Sequence, residues 1–191
     1  MTMESTVKHT IVALIQDHPG ALNRAVSLFR RRGFNIHSIV VGPSETADIS
    51  RMTLVVEAEH VEQVVKQLYR IIEVTKVTDV THGHVLQREL ALFKVHAPQR
   101  SRPEIVALAT AFQARILDTG AQSMILELTD APAAIDRFIN LLKPFGLKEL
   151  ARTGRIAMVG QIHKEGPESV PAKPNGNGNG HQQPTTSGNA G

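Results

Sequence analysis

The residues Asp17-His18-Pro19-Gly20 stand where an apolar run gives way to a helical pattern, and their chemistry suits a zwitterion. The first turn of a helix leaves backbone N–H groups unpaired, and the helix dipole adds positive potential there, so an anion is favoured. Gly20 allows a ligand to approach the backbone closely, and Pro19 stiffens the turn. The N–H groups of Gly20, Ala21 and Leu22 are therefore candidates for holding a carboxylate, while Asp17 offers its own carboxylate to an ammonium group. Asn35, which opens the next expected strand, can donate and accept together. The same residues also fit an ordinary strand-to-helix turn, in which Asp17 caps the helix and Gly20 only turns the chain. Taken alone, the loop leaves both readings open.

Elsewhere the chain offers little that could catalyse. There is no G-x-S-x-G elbow, no H-E-x-x-H helix and no G-x-x-x-x-G-K-[ST] loop. With no Cys there is no thiolate nucleophile and no disulfide, which fits a reducing cytoplasmic setting. His82 and His84, helped by Glu89, supply too few ligands at that spacing to argue for a metal; a solvated linker accounts for them. Asp48, Ser50 and Arg51 lack a base and an orienting partner, so a structural role is expected. The formal net charge is only +3, and Arg30-Arg31-Arg32 closes a helix, where the dipole favours cations. Aromatic residues make up 4% of the chain, with no Trp to stack a base. A nucleic-acid partner is not expected, nor is a membrane: no apolar stretch is long enough to span one, and the N-terminal residues do not read as a signal peptide.

The elements that must position the loop follow from periodicity. Thr10 to Gln16 reads as a strand, and Ala21 to Arg32 as a helix with Leu22, Val26 and Phe29 as its stripe and Gly33 as its stop. Strands are expected at Asn35 to Val41, Met52 to Glu57 and Val74 to Val80, with a helix over Val61 to Ile72. The order β-α-β-β-α-β is ferredoxin-like. A looser repeat follows: a strand over Leu90 to His96, a helix over Arg102 to Phe112, and strands at Arg115 to Asp118 and Ser123 to Leu128. A helix over Ala131 to Leu142 and closing strands at Leu147 to Ala151 and Arg155 to Val159 complete it. The expected class is thus α+β, with one unit over 7–81, a linker over 82–87 and a second small α+β domain over 88–163. The stretch 164–191 is rich in Pro, Gly, Asn and Gln and is expected to be disordered, having almost nothing to bury.

A βαββαβ unit that opens with D-x-P-G-x-L, here Asp17 to Leu22 followed by Arg31 to Ser38, resembles the ACT domain, an amino-acid-sensing module. Four further blocks narrow the likeness: SRMTLVV from Ser50, HVLQRELALFKV from His84, ARILD from Ala114 and ARTGRIAM from Ala151. In this order they are similar to the small, regulatory subunit of acetolactate synthase, over roughly Val7 to His163.

The resemblance implies a chain with no active site that activates a large catalytic subunit and makes it sensitive to feedback inhibition, usually by valine. It implies that the large subunit carries thiamine diphosphate, Mg2+ and FAD, and that this chain holds no cofactor. It also implies pairing of ACT domains into a homodimer with the effector between two copies. By position, Asp17, His18, Pro19, Gly20, Ala21 and Leu22 would line one side, and Asn35 and Ile36 would approach from the neighbouring domain. Some relatives carry Asn in place of Asp17. The rival expectation is an ACT-type sensor in a signalling or transcriptional protein, which would need a DNA-reading element; no helix-turn-helix flanks the two units.

Overall fold

The computed structural model describes residues 7–160. In chain order these form β1 (Val7–Gln16), α1 (Ala21–Arg32), β2 (Asn35–Pro43), β3 (Ile49–Ala58), α2 (Val61–Leu68) and β4 (Val74–Asp79) in the first half. The second half holds β5 (Val85–His96), α3 (Arg102–Ala111), β6 (Arg115–Thr119), β7 (Ser123–Asp130), α4 (Pro132–Leu142), a 3-10 turn (Lys143–Phe145), β8 (Leu147–Arg152) and β9 (Ile156–Val159). The α+β class and the βαββαβ order are as the sequence implies. β5 starts earlier than expected, because Val85 to Arg88 pair with β9; the last residues of the expected linker over 82–87 therefore lie in a strand. The expected tail over 164–191 lies outside the described residues.

The first sheet runs β2-β3-β1-β4, with antiparallel neighbours throughout. β1 is buried on both faces along its centre, which explains its unbroken apolar run. Ile11, Ala13 and Ile15 join the core under the two helices. On the opposite face Val12 meets Val80, Val85 and Ala157, a small core shared with the second half. The second sheet runs β6-β7-β5-β8, with β9 on the early part of β5. Alternate residues Ala91, Phe93 and Val95 point inward onto Ile135 and Phe138, the Phe93 and Phe138 rings meeting edge to face at 5.1 Å. Across the halves, Arg51 Nη2 donates to the Ala157 carbonyl at 2.8 Å, and Arg155 Nη1 donates to Thr10 Oγ1 at 3.1 Å.

Two helices depart from the expected pattern. α1 turns Ala21, Ala25, Leu28 and Phe29 inward, leaving Leu22 at 43% and Val26 at 40% exposure. The two alanines let the helix backbone come close to the sheet, and the larger residues are displaced outward. α2 stops at Leu68 instead of reaching Ile72, which is 88% exposed. The Tyr69 hydroxyl donates to the Val77 carbonyl and accepts from the Val77 N–H at 3.0 Å, so the chain turns there and buries Ile71 instead.

Candidate functional site

The loop between β1 and α1 does not behave as a simple cap. α1 follows directly on Gly20, which sits in the left-handed region with φ of +89°, and no side chain caps the helix. The backbone of Asp17 is tied to the β2–β3 turn, its N–H donating to the Asp48 carbonyl at 2.8 Å, while its carboxylate does not cap the helix. Asp48 is itself left-handed, with φ of +59°, and with Asp17, His18, Gln16 and Ile49 it lines a shallow depression of 360 Å³. Of the three N–H groups singled out from sequence, that of Ala21 is spent on the His18 carbonyl at 3.2 Å. Among the described residues the N–H groups of Gly20 and Leu22 have no backbone partner and are left as donors at the helix start. No acid stands in the first turn of α1 to compete with an incoming anion.

Asn35 and Ile36 lie elsewhere in the chain. The register pairs Asn35 with Glu57, and Glu57 with Lys8, whereas Gln16 at the loop pairs with Ile49. The eight residue steps from Lys8 to Gln16 span roughly 25 Å of strand, so Asn35 and the loop occupy opposite ends of one sheet. The Asn35 amide nitrogen donates to Glu57 Oε2 at 3.0 Å, and His37 Nε2 meets the other carboxylate oxygen at 2.7 Å. These hydrogen bonds, that of Asn35 first, hold the Glu57 carboxyl below its ordinary value of 4.5. With one amide N–H so engaged, Asn35 keeps its second N–H as a donor and its carbonyl oxygen as an acceptor. Ile36 packs against the first core and lines a 660 Å³ cleft between the halves, with His37, Ser38, Arg152 and Arg155 among its walls.

Four residues at these two places escape a reading of sequence alone. Glu57 and His37 orient Asn35, and only the β2–β3 register reveals them. Arg24 and Glu73 flank the loop: the Arg24 guanidinium pairs with the buried Glu73 carboxylate, and its Nη1 would lie 3.4 Å from a Cβ on Gly20. The spacing of Arg24 four residues after Gly20 hints at that reach. Nothing local points to Glu73.

The other residues weighed for chemistry are structural or dispersed. Ser50 is buried and Arg51 bridges the halves. Glu89 is buried against Arg152, whose Nε donates to it at 2.9 Å. Among the described residues no three His, Asp or Glu side chains converge to hold a metal, and no helix is long and apolar enough to cross a membrane.

Comparison with known proteins accounts for both halves. Residues 11–76 match a family model described as an AHAS small subunit-like ACT domain, and residues 88–161 match one described as the small subunit of acetolactate synthase. The chain is 51% identical over 155 residues to a probable acetolactate synthase small subunit of Archaeoglobus fulgidus, covering 80% of this chain and 97% of that protein. It is 39% identical over 155 residues to the acetolactate synthase small subunit of Mycolicibacterium smegmatis, covering 80% and 91% respectively. The crystal structure of the acetolactate synthase small subunit from Thermotoga maritima matches with a TM-score of 0.76 at 38% identity, over 82% of this chain and 99% of that one.

Proposed function

The chain belongs to the family of acetolactate synthase small subunits, which are non-catalytic regulatory partners of a large catalytic subunit, and from that premise we propose that it senses valine between two copies of its ACT domain. In this reading the unit over 7–81 binds the effector and the second half completes the subunit. The large subunit carries thiamine diphosphate, Mg2+ and FAD and condenses two pyruvates to acetolactate, on the route to the branched-chain amino acids. This chain raises that activity and withdraws it when valine accumulates.

The observation that carries the proposal is the separation of the two polar sets. The loop and Asn35 stand at opposite ends of one sheet, so a single amino acid can touch both only if a second copy is antiparallel to the first. The surface suited to that pairing is available: among the described residues β2 bonds only to β3, and Leu22 and Val26 expose an apolar stripe on α1, which packs beside β2. Valine's carboxylate then meets the Gly20 and Leu22 N–H groups of one copy. Its ammonium group lies between Asp17 and the Asn35 carbonyl oxygen supplied by the other, and its branched side chain rests on Leu22. Bound valine alters activity only by favouring one arrangement of the complex over another, and a bridge between two copies is one source of such a preference.

Gly20→Asp tests this site. It puts a negative charge where the carboxylate would lie and a side chain where φ is left-handed. The variant, reassembled with the large subunit, is expected to activate but to lose inhibition by valine. Inhibition equal to the parent's would remove the loop from the effector site.

A further inference from the structure

One buried acid grips the proposed effector loop from both ends. Glu73, only 4% exposed, lies just before β4. Its backbone carbonyl accepts the Gln16 N–H at 2.9 Å, at the last strand residue before the loop. Its carboxylate Oε1 pairs with Arg24 Nη2, one turn into the helix after the loop. The Arg24 guanidinium also covers the loop's glycine, its Nη1 standing 3.4 Å from where a Cβ on Gly20 would lie, while its N–H makes the ordinary first-turn helical bond to the Gly20 carbonyl at 3.0 Å. The second oxygen of Glu73 is buried without a hydrogen-bond partner among the described residues.

This arrangement is costly for a purely structural contact. A carboxylate is seldom buried, and an apolar pair of similar volume often serves stability as well as a buried ion pair does. A cation folded over a helix N-terminus also opposes the helix dipole. Both costs fall at the same place, beside the N–H groups left open at the start of α1. A ligand carboxylate arriving there would relieve the second cost, because it brings negative charge to the guanidinium and the helix start together. Half of the Arg24 side chain is exposed, so the guanidinium can be approached from solvent.

We propose that Glu73 and Arg24 are positioning residues for the effector. Glu73 holds the guanidinium over Gly20, which keeps the loop in its left-handed turn and adds positive potential to the N–H groups that receive an α-carboxylate. The inference rests on the reading of Asp17 to Leu22 as the effector loop.

The test uses the full chain reassembled with the large subunit, comparing Glu73→Gln, Arg24→Gln and the double variant. Activation without effector, the valine concentration for half-inhibition and the melting temperature are measured for each. Each single substitution is expected to raise the half-inhibition concentration about tenfold while activation changes less than about twofold, and the double variant is expected to match the singles instead of multiplying them. Three results would overturn the proposal: an unchanged half-inhibition concentration, multiplied shifts in the double variant, or activation and melting temperature falling in step with inhibition. Should Glu73→Gln fail to fold, Arg24→Gln, at a half-exposed position, decides alone. Gly20→Asp measured in parallel separates the two levels. If it abolishes inhibition while the other variants shift nothing, the positioning role fails and the site stands; if it leaves inhibition intact, the effector loop itself is misassigned.

Discussion

In the first half, the connection from strand to first helix ends on a left-handed glycine, with no side-chain cap and no acid in the first turn of α1. The second half repeats the connection between β5 and α3, but there it is filled from within. Arg102 spreads its guanidinium over three backbone carbonyls: Nε donates to Ala97 at 3.1 Å, and Nη2 to Ala121 at 3.0 Å and to Gly120. Pro103 removes an N–H from the first turn, and Glu104 brings a negative charge to it. Neither helix start has a side-chain cap, but the connection leading to it is stapled shut in one half and left open in the other. An arginine takes part in both. Arg102 satisfies the protein's own carbonyls, whereas Arg24 is held by a side chain and faces an unfilled helix start.

The strongest way to break this comparison is to open the closed half. Arg102→Ala leaves three carbonyls without their charged donor and is expected to cost about 1–3 kcal/mol of stability, with the valine response unchanged. Denaturant unfolding, paired with a valine titration of the complex, checks both parts. A gain or loss of effector sensitivity would show that the second half also takes part in sensing.

Asn35→Ala should act in the opposite sense. Its amide is exposed and, among the described residues, its side chain bonds to Glu57 alone, so stability is expected to move by no more than about 1 kcal/mol while inhibition by valine is lost. A large loss of stability with unaltered inhibition would make Asn35 a partner of Glu57 and nothing more.

The smallest expected effect concerns acid. Glu57 and Glu73, both in the first half, have carboxyl groups lowered from 4.5, by hydrogen bonds led by Asn35 for Glu57 and by Arg24 for Glu73. A carboxylate with a lowered pKa contributes stability above its unfolded value and loses it as pH falls through the folded one. The melting temperature should therefore hold from pH 7 to about 5 and decline below the ordinary carboxylate range. Glu73→Gln should make that decline shallower, whereas an unaltered acid limb would place its origin elsewhere.

Much of this was legible in the residues themselves. The alternation of apolar positions and the punctuation by Gly20, Pro19 and Gly33 reveal the order of elements, because burial and turn geometry impose those patterns directly. The face that α1 buries was not legible: a stripe through Leu22 and Val26 and one through Ala21 and Ala25 lie next to each other on the helix, and close approach to the sheet selects the smaller residues. The early end of α2 depends on Tyr69 reaching Val77, a contact made only once β4 is in place. The candidate site divides in the same way. Loop residues declare themselves through local turn chemistry, while Glu57 and Glu73 enter through pairings with residues 22 and 49 positions away, which no local pattern encodes.

The central claim is that the effector site is shared, with the loop from one copy and Asn35 from the other. Mixing two separately insensitive variants, Gly20→Asp and Asn35→Ala, tests it directly. After subunit exchange about half of the dimers are mixed, and each of these holds one site whose loop and Asn35 are both intact. The shared-site account predicts that valine inhibition returns in the mixture although neither variant alone responds. A mixture that stays insensitive after demonstrated exchange would contradict it and confine the site to a single chain.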